Sequence, residues 1–473
     1  MVKEGSLKQI KVIGIGMGDE VSMTVAARDW IAGCDLLIGA SRMVQAAAAI
    51  AISPKYVIAW QPKDVRDAIR QSEAEKIAVL MSGDIGFFSG ARALREELES
   101  EIKNTDMETG AGAMTNVNAG NLTGVLYGEY RNKQTSTNAD TGNATGVAGN
   151  QAGAQGVNRF EYEISWLPGI SSLSYFCNAI GIPYEDAFML SIHGRGSSYV
   201  RQIAIHEKTF LLSDGDLPEF GKKLVSYGMG NVTVWVGMDL AAPTQRIFKT
   251  TPEELSQFAK EDCRPLTVCL ILNPDAEKWR NPYRRDEEFF RDGKTPMTKE
   301  EVRGVVLGKL APESRDVIYD IGGGSGSVSV ACAIAASGGT VYSIECDAEA
   351  AKLIDKNRRR FACDNIEIIA GRAPEALREL PAPNRVFIGG SGGGLAEILT
   401  ELEEKLRLRK TRVVISSITL ETNAAVSSYI HTSPHVKNAE VCQIAVTKSK
   451  AAGGSTLMMG QNPVMIFSFD LKK

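Results

Sequence analysis

The stretch from Val317 to Asp347, VIYDIGGGSGSVSVACAIAASGGTVYSIECD, constrains the fold of this chain more than any other. A β-branched run, Val317 to Tyr319, leads into Asp320 and then Gly322, Gly324 and Gly326. Lacking Cβ atoms, such a run can turn tightly and bring its backbone against a ligand. The residues that follow are small and apolar, as a packed helix requires, and Gly338 and Gly339 turn the chain into a second strand, Thr340 to Ile344. Glu345 closes that strand roughly twenty residues past the last motif glycine, where a nucleotide-binding βαβ unit places the acid that holds a ribose. A phosphate-binding P-loop needs Lys and Ser/Thr after its final glycine, but Ser327 and Val328 stand there. A dinucleotide fingerprint spaces its third glycine three residues past the second, and here that glycine comes early, at Gly326. On these residues alone, another nucleotide or a purely structural turn stays open.

At 473 residues the chain is long enough for about three cores. Its 57 acidic and 53 basic residues nearly balance, at a formal charge of -4, which speaks against a nucleic-acid partner and for a small molecule. The eight cysteines are scattered without a CxxC pair, as expected of reduced thiols and not of a zinc site or disulfide framework. No apolar run approaches the roughly 18 residues that span a bilayer, and no secretory leader is visible, so a soluble cytoplasmic protein is expected.

From the start, Gln9 to Ile15 reads as a strand running into Gly14, Gly16 and Gly18, with a helix from about Ser22 to Ala32. Asp35 to Ile38 and Ile77 to Met81 follow as strands, the latter ending in Ser82-Gly83-Asp84 before a helix over Ala91 to Glu99. Such alternation implies a mostly parallel sheet. From Lys103 to Asn158 the composition turns to Asn, Gly, Thr, Ala and Gln, which predicts a disordered surface insertion. Order resumes at Tyr162 with a strand that ends in Pro168, Gly169, Ser171 and Ser172, a polar helix start. Strands are expected over Ala187–Ile192, Thr209–Leu212, Val232–Val236 and Leu266–Leu272, and Thr251 to Glu254 reads as a capping box. Asn273 to Thr295 is Pro- and charge-rich and is taken as a linker. Thr298 and Glu301 read as a second capping box. Beyond the glycine stretch, Asn365–Ile369 ends in Gly371-Arg372-Ala373, and Arg385–Ile388 ends in Gly389-Gly390-Ser391. In a doubly wound sheet these strand ends converge on one crevice.

The spacing Asp320-x-Gly322-x-Gly324-x-Gly326 resembles the first motif of the class I methyltransferases, which bind S-adenosylmethionine (SAM). MTKEEVR, DIGGGSGSVS, AGRAPEAL, VFIGGSGG, SITLET and Asn462-Pro463, over about 296–470, together resemble the precorrin-6Y C15-methyltransferase (decarboxylating) family. That resemblance implies SAM contacts from Asp320, Gly322, Gly324, Gly326, Glu345, Arg372 and Ala373. Gly389, Gly390 and Ser391 would face the transferred methyl, with Thr419 and Glu421 near the macrocycle. VIGIGMGD (12–19), SGDIGFFSG (82–90), LPGISS (167–172) and SIHGR (191–195) resemble the tetrapyrrole methylase family, in its precorrin-7 C5-methyltransferase branch. This second resemblance implies an α/β fold of two subdomains, about 9–180 and 181–272, with a second SAM between them near Gly83, Asp84, Ile85, Ser171 and Ser172. It makes the 14–18 loop a substrate-side turn, and His193 and Arg195 candidates for substrate carboxylates. Met17 and Ile85 stand where that family usually has proline. A fusion of the two modules is the bifunctional precorrin-6Y C5,15-methyltransferase of vitamin B12 (cobalamin) synthesis.

The expected architecture is therefore a tetrapyrrole methylase fold over 1–272 and a Rossmann-like class I fold over 296–473, a homo-oligomer with two SAM sites acting on a precorrin or cobalt-precorrin. The alternative weighed is a class I methyltransferase of RNA or protein beside a tetrapyrrole-binding module without activity. No catalytic base is identified and no metal site is expected: Pro434 separates His431 from His435, and Arg358 to Arg360 suit a solvated helix face.

Overall fold

The computed structural model describes residues 8–52, 54–98, 123–130, 158–192, 198–406 and 410–473. Two compact units emerge: Met1–Tyr184 with Asp239–Arg246, and Glu185–Met238 with Ile247–Lys473. None of the helices among the described residues is long and apolar enough to cross a membrane.

The first unit is built on β1 (Lys8–Gly14), β2 (Leu36–Gly39), β3 (Lys55–Ile58), β4 (Lys76–Met81), β5 (Thr123–Tyr130) and β6 (Asn158–Leu167). Their order is β3-β2-β4-β1-β6-β5, with every pair parallel except β5 on β6. The apolar runs of β1, β2 and β4 follow from burial on both faces: Val79 packs in one core cluster, while Ala78 and Leu80 pack in the other. β5 lies inside the stretch expected to lack order, where the alternating run TGVLYGEY pairs along the open edge of β6. Residues 103–122 and 131–157 lie outside the described ones. The first helix begins at Val25, later than expected, because Thr24 Oγ1 accepts the Ala27 N–H and sets the start there.

The second unit holds two sheets. The smaller comprises β7 (Phe188–Ser191), β8 (Lys208–Ser213), β9 (Thr233–Met238), β10 (Arg246–Thr250) and β11 (Thr267–Leu272), ordered β10-β9-β11-β8-β7. It is mixed, with β11 antiparallel to both β8 and β9 and β7 parallel to β8. The Thr251–Glu254 capping box forms as expected.

The larger sheet comprises β12 (Val317–Ile321), β13 (Thr340–Glu345), β14 (Ile366–Ala370), β15 (Arg385–Ile388), β16 (Thr411–Ser417), β17 (Val436–Ile444) and β20 (Val464–Leu471). Its order is β14-β13-β12-β15-β16-β20-β17, parallel from β14 to β16, with β20 antiparallel to both neighbours. The winding reverses beside β12, the switch point where doubly wound sheets open a crevice. A hairpin of β18 (Thr447–Ala452) and β19 (Ser455–Gly460) stands apart from this sheet.

The linking segment is packed at both ends, with Trp279 in the core of the β7–β11 sheet and Phe289 in that of the β12 sheet. The capping box expected at Thr298 does not form. The cap is Lys299, without a side-chain bond, because Glu301 pairs with Lys448 at 2.6 Å and the Thr298 carbonyl receives Arg303 at 2.6 Å.

Candidate functional site

The glycine turn at the end of β12 is held by backbone. Gly322 and Gly323 donate to the Ile344 carbonyl at 3.0 and 3.1 Å, Gly389 donates to Ile321 at 2.9 Å, and Gly371 donates to Glu345 at 3.0 Å. The ends of β12, β13, β14 and β15 are thereby stitched into one rim. Gly322, Gly324 and Gly326 have φ of +76°, +54° and +77°. A Cβ on Gly322 would lie 2.6 Å from the Gly390 oxygen, and one on Gly324 would lie 2.7 Å from the Pro296 oxygen. Backbone packs on backbone here, so the glycines answer both a torsional and a steric demand.

Glu345 is half-buried at this rim. Its carboxylate accepts the N–H of Gly324 and that of Asp347, each at 2.9 Å. Each oxygen keeps a further lone pair, so the group can hold the loop and still accept from a ligand hydroxyl. Asp320 is placed differently. It is 1% exposed and accepts the Ser329 hydroxyl, which lies 2.7 Å from Ser343 Oγ. Burial pushes its carboxyl up to about 6. It ties the loop to the helix Ser327–Ala335 from beneath and does not line the cavity described next. Arg372 donates across the rim to the Gly392 carbonyl, while Ala373 is buried behind it.

Beyond Gly389, Gly390 and Ser391 opens a cavity of about 420 Å³. Met297, Val302, Ile388, Leu395, Ile415 and Val464 give it apolar walls, and Ser391, Ser417, Thr419, Gln461, Asn462 and Lys299 give it polar points. The backbone of Gly390 touches Gly322 on one side and lines the cavity on the other. A Cβ at Gly390 would meet nothing within 4 Å. Thr419 caps the helix Leu420–Thr432 by accepting the Thr422 N–H at 3.2 Å. Glu421 is exposed on that helix and is not part of the lining. Lys299 and Gln461 are not among the residues expected at the site, although Lys299 lies within MTKEEVR (297–303) and Gln461 precedes Asn462-Pro463.

In the first unit three motif turns interlock. Gly83 and Gly16 exchange N–H···O bonds of 2.8 and 3.1 Å, and the Gly169 N–H donates to Asp84 Oδ1 at 3.2 Å. A Cβ on Gly169 would lie 2.2 Å from the Gly83 oxygen and 2.5 Å from that of Gly14. Ser171 caps the helix Ser172–Ala179 by accepting the Ser174 N–H at 3.0 Å. Ile85 packs half-buried against the core, and the Met17 N–H finds Ser22 Oγ at 3.0 Å. Gly83, Asp84 and Ser171 thus lie close together, with Gly14 and Gly16 in the same frame. His193 and Arg195 lie outside the described residues.

The remaining charged candidates are committed elsewhere. Arg358 and Arg359 pair with Asp355, Arg359 also covers the Tyr227 ring, and Arg360 lies over Phe290. His431 Nδ1 sits 2.7 Å from the Ser427 carbonyl in the last turn of its helix, which ends before Pro434.

Two family profiles match the chain. Residues 287–471 match "Precorrin methyltransferase domain", and residues 9–142 match "Tetrapyrrole (Corrin/Porphyrin) Methylases". Over 312 residues the chain is 31% identical to the precorrin-6Y C(5,15)-methyltransferase [decarboxylating] of a Sinorhizobium species, covering 64% of this chain and 72% of that one. Over 186 residues it is 39% identical to a probable cobalt-precorrin-6B C(15)-methyltransferase (decarboxylating) of Pyrobaculum calidifontis, covering 39% of this chain and 93% of that one. Among solved structures, the precorrin-6y C5,15-methyltransferase of Geobacter metallireducens is 33% identical, with a TM-score of 0.37, covering 40% of this chain and 97% of that one.

Proposed function

We propose two SAM sites for this chain, which belongs to the precorrin-6Y C5,15-methyltransferase (decarboxylating) family. The first, at the 322–326 loop, serves methylation of C15 of a precorrin or cobalt-precorrin together with loss of CO2 from the ring C acetate. The second, at Gly83, Asp84, Ile85, Ser171 and Ser172, serves methylation at C5. Both steps belong to cobalamin synthesis, in the cytoplasm. The observation that carries the reading is the double role of Gly389–Ser391, whose backbone abuts the glycine loop and also forms the wall of the acceptor cavity.

The residues fit the cofactor. Positive-φ glycines leave no side chain between loop and ligand, Glu345 offers acceptors at the rim, and the space over Gly390 is open. When bound, SAM supplies an electrophilic methyl on sulfur. An electron-rich meso carbon of the macrocycle is its own nucleophile, so the chain's task is alignment and exclusion of water. Orientation of this kind contributes on the order of 7–11 kcal/mol in well-aligned systems. Ile388, Leu395 and Ile415 exclude water from the acceptor side, while Ser391, Thr419 and Asn462 orient the macrocycle. No general base is required. The test is to incubate the full chain with SAM and precorrin-6Y, or its cobalt form, and weigh the product. Two added methyls and one lost CO2 are expected; an unchanged macrocycle with both substrates rejects the reading.

A further inference from the structure

The described lining of the acceptor cavity carries a single charged residue. Among the described residues, Lys299 is the one Lys, Arg, Asp or Glu in its lining. Among the described residues its ammonium makes no hydrogen bond or ion pair, whereas Lys448, Arg303 and Arg372 are committed. Lys448 pairs with Glu300 at 2.9 Å and Glu301 at 2.6 Å, Arg303 pairs with Asp286 at 3.1 Å, and Arg372 is held by the Gly392 carbonyl. The same ion pairs withdraw Glu300 and Glu301, the acids adjoining Lys299 in sequence, from competing for it. The Gln461 and Asn462 carboxamides also line the cavity, as do the apolar Ile388, Leu395 and Ile415.

We infer that Lys299 anchors a peripheral carboxylate of the macrocycle and so fixes which meso carbon is presented at Gly389–Ser391. This rests on the reading of the cavity as the C15 acceptor site. A macrocycle with acetate and propionate arms has many carboxylates and near-equivalent edges, and one cation in a lining whose other described residues are uncharged selects among them. The anchored group is not the acetate that is decarboxylated. In that loss the bond from the acetate methylene to its carboxylate carbon breaks. The electron pair moves into the conjugated ring, neutral CO2 leaves, and a solvent proton completes the methyl. An ammonium paired with the departing carboxylate would hold its charge in place and oppose the step, so that arm belongs against the apolar wall.

The test uses the full chain as wild type, Lys299→Met and Lys299→Arg, with uroporphyrin III and its octamethyl ester as probes in fluorescence titrations. Lys299→Met is expected to weaken binding of the octacarboxylate about tenfold and to leave ester and SAM binding unchanged. Lys299→Arg should keep uroporphyrin affinity within about threefold. With the corrin precursor itself, the Met variant should raise KM by a similar factor with kcat nearly unaltered. Equal octacarboxylate affinity of Met variant and wild type, or an equal loss for the ester, overturns the inference. If wild type leaves the corrin precursor unmethylated while the Met variant still loses the tenfold, the functional reading falls and the carboxylate anchor stands.

Discussion

The Asp364 carboxylate caps the backbone of Arg201. It accepts the N–H groups of Tyr199 at 2.9 Å, Val200 at 3.1 Å and Arg201 at 2.9 Å, and Lys223 Nζ lies 3.1 Å away. Arg201 in turn is fully buried and donates to the carbonyls of Phe361 at 3.3 Å and Trp279 at 2.5 Å. Beside Asp364, Ala362 sits at φ +50° inside the core of the β7–β11 sheet. The turn that leads into β14 is thus built into the neighbouring sheet's core, which makes the second unit a single body.

Asp364→Ala would leave three N–H groups and an ammonium without their acceptor in a dry junction. A loss of about 3 kcal/mol is expected. At about 2–4 °C per kcal/mol the melting temperature should fall by several degrees in calorimetry. A melting curve superimposable on wild type would contradict this account of the junction.

Asp320 makes stability depend on pH. Burial pushes its carboxyl up to about 6 in the folded chain, from an ordinary value of 3.8. The folded state therefore binds the additional proton between about pH 4 and 6, so stability falls as pH rises through that window and stays lowered above it. At about 1.4 kcal/mol per unit the whole effect is about 3 kcal/mol. Asp320→Asn cannot ionise, so urea titrations at several pH values should show its dependence flattened across the window relative to wild type. Parallel profiles would refute the assignment.

Glu345→Ala removes the acceptor that holds Gly324 and Asp347. SAM binding at the C-terminal loop should weaken by about ten- to hundredfold, since charge-assisted hydrogen bonds contribute roughly 1.5–3 kcal/mol each. In isothermal titration a wild-type stoichiometry of two should become one tight and one weak site. Two unchanged sites would remove Glu345 from the donor site.

Gly169→Ala would drive a Cβ to within 2.2 Å of the Gly83 oxygen. Both partners are backbone and cannot step aside, so the three-turn frame must open. Product mass should show C5 methylation lost and C15 methylation with decarboxylation retained. Retention of both methylations would show that the frame tolerates the change.

Much of this was legible in the sequence because the demand for glycine is local. The positive φ at Gly322, Gly324 and Gly326 and the close approach at Gly169 leave a covalent signature, the missing Cβ, that reads without a fold. Strand runs were legible for a similar reason. The expected Arg385–Ile388 matches β15 residue for residue, and the expected Asn365–Ile369 agrees with β14 within a residue at each end, because both are short β-branched or apolar runs closed by glycine turns.

Partner choice was not legible. Thr298 and Glu301 have the spacing of a capping box, yet Lys448, far along the chain, takes Glu301 into an ion pair. Asp320 was expected beside the ligand; that its carboxylate lies buried under the loop and accepts from Ser329 was not readable from the sequence. Where the backbone must turn, which strands are buried and which family the chain resembles are local properties, readable from the residues alone. That Lys299, Gln461 and Asn462 line one cavity and that Asp364 caps Arg201 emerge with the packed fold. Those pairings bring together groups distant in sequence, and their free energies depend on the burial that folding itself creates.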